Sequence, residues 1–335
     1  MDVIGIGELC LDMVMEVGRI PATDSFVPML DMSWQGGGKV PTALAALTRL
    51  GAEAGIIAIT GDDSYGSFCR KDFEKNGIDT SRLIVQEQAA TNFCVCLAEQ
   101  ETGGRSFIGR LGSVRELTEE DLDLHYIEQA SILHIWQINP VILTAVSGAR
   151  AKGVKISIDA DRYSDSIRDN LAQIDYFIGS EFFYRGMFRV QEADEEGLEA
   201  NLKLLYDSGP EIAVITLGSR GCAVYSEEGY HRVEAFHNIQ VKDTTGAGDV
   251  FHGGYLYALL KGRNAVEAAR FASAVSALKC TVLGGRAGIP DLEETERFLK
   301  DGSVSKDRCR EWIEFYRKGP AGESMCGGSY ETGRN

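Results

Sequence analysis

The apolar positions of this chain change their period along its length, and the changes mark out its elements. Val3 to Gly7 is a short apolar run punctuated by glycine, the pattern of a buried strand. Met13 to Val17 and Phe26 to Met32 alternate apolar and polar side chains on either side of Pro21 to Asp24. They predict two half-exposed strands in a hairpin-like excursion. After Gly36-Gly37-Gly38, an Ala- and Leu-rich stretch with Pro41 near its first turn predicts a helix that Gly51 ends. Ala54 to Ile59 reads as a buried strand. Ser64 is expected to cap a helix that runs to Asn76 and stops at Gly77. Thr91 to Ala98 is a strand that Gly103-Gly104 turns back into Arg105 to Gly109.

From there strands and helices alternate. The predicted strands are Ile132 to Ile135, Val154 to Asp159, Tyr176 to Ile178 and Ile212 to Leu217. The helices between them cover Val141 to Lys152, Ser164 to Leu171 and Ala193 to Tyr206. Two late strands, Gly221 to Tyr225 and Tyr230 to Ala235, form a hairpin, and helices follow from Gly246 and from Asn264. This order predicts an α/β fold, a doubly wound and mostly parallel sheet with helices on both faces. Such sheets bind ligands beyond the carboxyl ends of their strands.

Composition narrows the partners. A net charge of -16 over 335 residues argues against nucleic acid and against an anionic membrane surface, both of which call for basic patches. An anion can still be held locally, by helix N-termini, backbone amides or single cations. The eight cysteines are scattered, and Cys94 with Cys96 lacks the second pair or nearby His that a zinc site needs. They read as reduced thiols, which predicts a cytoplasmic location. The N-terminus lacks a basic region and Glu8 and Asp12 break its apolar run, so no signal peptide is expected; no apolar run is long enough to cross a membrane. Residues 319–335, rich in Gly, Ser, Glu and Thr, read as a flexible tail.

Two nucleotide motifs are missing. Gly38-Lys39 is followed by Val40, where a phosphate-binding loop would place a Ser or Thr hydroxyl. Gly5 and Gly7 start a dinucleotide-like pattern, but Cys10 stands at its third glycine. The chemistry concentrates instead in Asp243-Thr244-Thr245-Gly246-Ala247-Gly248-Asp249, which opens an apolar helix. Gly246, Ala247 and Gly248 are small enough for a ligand to reach their N–H groups, and a helix N-terminus favours an anion. Phosphoryl transfer puts charge on the equatorial oxygens of the moving group, and fixed donors stabilise it. Asp249, in the first turn, is placed to take a proton from an attacking hydroxyl. The plain alternative is that Asp243 and Asp249 are ordinary helix-start acids.

DTTGAGDVF resembles the C-terminal signature of the ribokinase-like (PfkB) carbohydrate kinases, and the resemblance extends over nearly the whole chain. GIGELCLDM resembles the family's opening strand, GGGKVPTALAALTRLG its glycine pair and first helix, and ITGDDSYGSFCRKDFEKNGIDTSRL another family segment. IDADR, TLGSRG and LGGRAGIP follow in the family's order. The resemblance implies a three-layer α/β/α core over residues 1–318 with a small β-sheet lid, from about 12–35 and 91–113, through which members commonly pair as homodimers. It implies ATP and Mg2+ and, in many members, a monovalent cation such as K+. Asp249 matches the catalytic base, with Gly246, Ala247 and Gly248 as the anion hole. Asp12, Gly37, Gly38, Lys39, Thr42 and Gln137 would hold the sugar. Thr216, Gly218, Gly221, Ser273 and Ser276 would line the nucleotide groove. Asp243 would help hold the monovalent cation.

Three positions depart from the pattern. Thr42 stands where many relatives carry Asn, and it reaches less far. The family's Asn-x-x-Glu falls on Ser180 to Phe183, where Phe183 cannot hold magnesium waters and Glu181 is the nearest substitute. Asp161 stands where relatives often have Asn. His134 reads as a satisfied core histidine, and His252 as facing either the nucleotide or the sheet. The leading reading is an ATP-dependent kinase of a sugar or sugar acid. A nucleoside kinase would need an aromatic slot, for which the lid offers Phe26 and Trp34. A pseudokinase would bind without turnover.

Overall fold

The computed structural model describes residues 1–305 and 307–320; most of the expected tail, residues 321–335, lies outside them. Among the described residues thirteen strands form two sheets. They are β1 (Val3–Ile6), β2 (Cys10–Val17), β3 (Met29–Gly37), β4 (Ala54–Gly61), β5 (Asp79–Gln86), β6 (Asn92–Glu99), β7 (Arg105–Arg110), β8 (Ile132–Ile135), β9 (Lys155–Ala160), β10 (Tyr176–Ser180), β11 (Ile212–Thr216), β12 (Cys222–Ser226) and β13 (Gly229–Val233).

The larger sheet has the order β13-β12-β11-β10-β9-β8-β1-β4-β5. Its strands run parallel except for β12, which is antiparallel to both of its neighbours, β11 and β13. Every residue of β1, β4 and β8 is buried, as expected of strands covered on both faces. One apolar layer joins the sheet to the helices Lys39–Arg49, Ala247–Leu260 and Ala265–Lys279. The other joins it to Pro140–Ala151, Glu181–Phe188 and Glu195–Asp207. The result is the expected three-layer α/β/α core. The smaller sheet, ordered β3-β2-β6-β7, pairs β2 with β6 in parallel and seats Val14, Cys96 and Ala98 on Leu283 of the core.

Several boundaries move for identifiable reasons. The second strand of the excursion starts at Met29 rather than Phe26, because Pro28 has no N–H for the ladder, and it continues to Gly37. The cap of the helix Ser64–Asn76 is Asp63, not Ser64; its carboxylate accepts from Gly66 N–H at 2.8 Å and, through its other oxygen, from Thr91 N–H at 3.0 Å. The segment Ser164 to Leu171 holds only a helical turn at Asp165–Arg168 and a 3-10 turn at Leu171–Gln173. β5 and the helix Glu181–Phe188 were not expected. β5 is a half-exposed edge strand with a polar start, and the helix is marked chiefly by its Ser180 cap.

Candidate active site

The carboxyl ends of β8, β9, β10 and β11 deliver Trp136-Gln137, Asp161, Glu181 and Leu217-Gly218 to one rim of the large sheet. The lid closes on that rim. Its strand β2 carries Asp12, and β3 ends in Gly36-Gly37 just before Gly38 caps the helix Lys39–Arg49. Glycine is required at Gly37, since a Cβ there would run into the Asp12 carboxylate. Gly38 has φ 93°, and a Cβ would meet the Glu8 carbonyl.

The opposite wall is the start of the helix Ala247–Leu260. Gly246 caps it in the left-handed region, at φ 71°, without a side-chain cap. It packs so closely on Gly285 that an added Cβ would stand 3.0 Å from the Gly285 Cα. Ala247 N–H turns onto Thr244 O at 3.1 Å. The N–H groups of Gly246, Gly248 and Asp249 have no acceptor among the described residues. Ser276 Oγ donates to Ala247 O at 2.8 Å, fixing the turn from the neighbouring helix. The arrangement is a rigid cluster of unspent donors with space in front of it, since a Cβ on Gly248 would meet nothing within 4 Å.

Asp249 sits half-buried at this cluster. Burial pushes its acid up to about 7; Asp159 and Asp161 add to the rise, and Lys39 and His252 oppose it. Lys39 Nζ pairs with Asp161 Oδ2 at 3.0 Å and lies 5.4 Å from the centre of the Trp136 ring. Asp159 meets His252 Nε2 at 3.4 Å, and the His252 and His134 rings lie 5.5 Å apart. His252 thus faces the sheet. His134 is fully buried with Nδ1 on Ser157 at 3.2 Å, but its Nε2 has no partner among the described residues, so it is only half satisfied. Across the cleft Asp12 is likewise raised, to about 6, by burial, with the Cys10 thiol and Arg286 pulling it back.

Of the expected nucleotide residues, Thr216, Gly218 and Gly221 lie on β11 and the turn after it, and Ser273 and Ser276 on the helix Ala265–Lys279. Thr216 Oγ1 donates to Gly179 O at 3.3 Å. Gly218 and Gly221 have φ 59° and 81°, and a Cβ on Gly221 would strike the main chain after β13. Ser273 lies against the Cys222 thiol. Glu181 Oε1 pairs with Arg220 at 2.8 Å. Phe183 is fully buried against Phe177, with ring centres 4.9 Å apart, which explains why it is apolar. Asp243 is buried and its oxygens are taken: Oδ1 accepts from Thr245 N–H and its hydroxyl at 2.8 Å, Oδ2 from Gly284 N–H at 2.7 Å, and the main-chain oxygen from Lys279 at 2.9 Å.

Arg286 carries a role that sequence alone did not assign. It is fully buried, ion-paired to Asp72, and donates to Gly37 O at 2.8 Å and Thr42 Oγ1 at 3.2 Å. Thr42 Oγ1 is therefore held as an acceptor by Arg286 within the core. A Cβ on Gly36 would collide with both members of the ion pair. The lid is also tied to the loop before Gly246. Lys242 bridges Glu16 and Asp31, each at 3.1 Å, Arg105 donates to Thr244 Oγ1 at 2.8 Å, and Cys96 meets the Thr245 hydroxyl at 3.2 Å. The seven described cysteines are free, and no described helix is long and apolar enough to cross a membrane.

The chain resembles known proteins over most of its length. The model of the pfkB family of carbohydrate kinases matches residues 2–292. A ribokinase of Haemophilus influenzae is 31% identical over 271 residues, 79% of this chain and 87% of that protein. A 5-dehydro-2-deoxygluconokinase of Shouchella clausii is 27% identical, covering 90% of this chain and 97% of that one. The crystal structure of a putative ribokinase II from E. coli with ATP and Mg2+ has the same fold, at 23% identity and a TM-score of 0.76, over 89% of this chain and 99% of that one.

Proposed function

Because the chain belongs to the pfkB family of carbohydrate kinases, phosphotransferases with an alcohol group as acceptor, we propose that it transfers the γ-phosphoryl group of Mg-ATP to a hydroxyl of a sugar or sugar acid, with Asp249 as the base. The observation that carries this reading is the meeting of Asp249 with the unspent N–H groups of Gly246 and Gly248 at one helix start.

The acceptor docks beneath the lid. Asp12, once ionised, accepts hydrogen bonds from its hydroxyls, and Gly37 and Gly38 let it lie against the backbone. Gln137 and Lys39 flank it from the rim and the first helix. Thr42 supports this wall through Arg286. Asp249 takes the proton of the reacting alcohol, whose oxygen attacks the γ-phosphorus in line with the departing ADP oxygen. The Gly246 and Gly248 amides, with Ala247 holding the turn between them, stabilise the charge on the transferring group. Thr216, Gly218, Gly221, Ser273 and Ser276 line the groove for the adenosine. Mg2+ bound with the nucleotide would supply charge neutralisation of the phosphates, and Glu181, whose Oε1 is paired with Arg220, would be the carboxylate nearest to its water shell.

The aromatic rings of the lid favour a sugar over a nucleoside. Phe26 is 87% exposed and packs on no other ring among the described residues, and Trp34 packs on Phe93, which stacks on Tyr65 at 5.2 Å. The test is ADP release with Mg-ATP over ketoses, aldoses, sugar acids and nucleosides, beside Asp249→Asn. Turnover with a sugar that the variant loses supports the reading. Turnover on nucleosides alone, or an Asn variant as fast as the parent, would overturn it.

A further inference from the structure

The helix Ala265–Lys279 ends in a lysine that the proposed chemistry does not use. Lys279 is completely buried, and among the described residues its ammonium has one hydrogen-bond partner, the main-chain oxygen of Asp243 at 2.9 Å. An ammonium taken out of water is costly unless fixed charges and dipoles compensate it. Here the compensation is local. Burial alone would push the Asp243 acid up, but the Lys279 charge, with the N–H groups of Thr245 and Gly284, holds it below the ordinary carboxylate range. Lys279 also stands in the last turn of its helix, the end at which the macrodipole favours a cation. Cys280 O, one residue on, accepts from Lys242 and Asp243 N–H at 2.8 and 3.1 Å. The cation therefore lies where the loop Asp243–Gly246 meets the turn Cys280–Arg286, directly behind the donors that open the helix Ala247–Leu260.

The family resemblance puts a free monovalent cation at Asp243, and the residues present do not fit one. Each carboxylate oxygen already has a donor, the carbonyl holds an ammonium, and a second cation would be repelled by a fixed like charge. We infer that Lys279 is a tethered replacement for that cation, a positioning residue that fixes the loop before the anion hole and frees phosphoryl transfer from any need for K+. Lys279 touches no reacting atom; it acts through Asp243 and Thr245. This rests on the kinase reading given above.

The experiment compares KCl, NaCl and choline chloride at equal ionic strength, on the full chain and on Lys279→Ala and Lys279→Met. Both kcat and Tm are read. The parent should turn over, and melt, alike in all three salts. Lys279→Ala, which leaves room for an ion, should lose about tenfold or more in kcat in choline and recover in K+, whereas Lys279→Met, which fills the space, should stay slow. A merely structural lysine would give no such rescue. A parent stimulated about tenfold by K+, or an Ala variant undiminished in choline, overturns the inference. If both variants fail to fold, the salt series on the parent still decides it. If no acceptor turns over, the kinase reading fails, and the Tm of Lys279→Ala in K+ against choline tests the cation by itself, with no K+ gain counting against it.

Discussion

Asp249 can take a proton only while ionised, and its surroundings work against that. Burial, then Asp159, push its acid up to about 7. The kcat should therefore fall as pH drops below about 7 and level off above it, read from a pH profile with a saturating acceptor. Lys39 pulls the acid down, so Lys39→Met should move that limb to higher pH. Asp249→Asn should cost roughly 10²–10⁴-fold in kcat. Its effect on stability has the opposite sign. The folded acid lies above its unfolded value of about 3.9, so the stabilisation is complete below that value and is lost as pH rises through 7. At pH 8 the Asn variant should melt above the parent, measured by thermal unfolding. The position of Asp249 and its glycines at a helix start was legible, because a run of small residues ahead of an apolar stretch marks one. Lys279 and Arg286 were not. A charge inside an apolar stretch looks like a surface residue until its partner is known, and Arg286 finds Asp72 214 residues away in sequence.

Among elements, the buried strands were plain from their unbroken apolar runs, since a strand covered on both faces has no polar side to blur it. β5 was hidden because the end of the sheet leaves it half-wet, and the helix Glu181–Phe188 because about two turns are too short to establish a helical period. The cap at Asp63 could not be told from Ser64 by residue type, as both accept from backbone; the bond that Asp63 accepts from Gly66 N–H decides it. The element joint most exposed to single changes is the buried Arg286–Asp72 pair, which fastens β3 to the turn before Ala287 and to the helix Ser64–Asn76. Arg286→Met strands the Asp72 charge and should cost about 3–5 kcal/mol in urea unfolding. Adding Asp72→Asn to it should restore part of that loss, and both variants should weaken acceptor binding more than ATP binding.

At the scale of the molecule, the lid ends in an open edge. All six residues of β7 are exposed, including Phe107 and Ile108 on its two faces, and Leu111 beyond it is 86% exposed. An edge strand with unpaired backbone and apolar side chains invites a second copy. Sedimentation should show a dimer, and Ile108→Lys should drive it toward monomer; a monomeric parent would refute the pairing. The lid is also sewn to the loop before the anion hole by Lys242, Arg105 and Cys96, so a change that loosens the lid edge reaches kcat as well as acceptor affinity. The family order of motifs made the lid legible in outline. Its sewing was not, because each stitch joins segments distant in sequence.

Gly36 has a further consequence for how this chain can change over generations. A Cβ there would displace the Arg286 guanidinium and the Asp72 carboxylate together. No single substitution at position 36, 72 or 286 is then neutral, and the order of steps matters: the charges must leave before a larger residue can enter. The three positions form an epistatic lock, and lineages that open it should do so by coordinated replacement of all three.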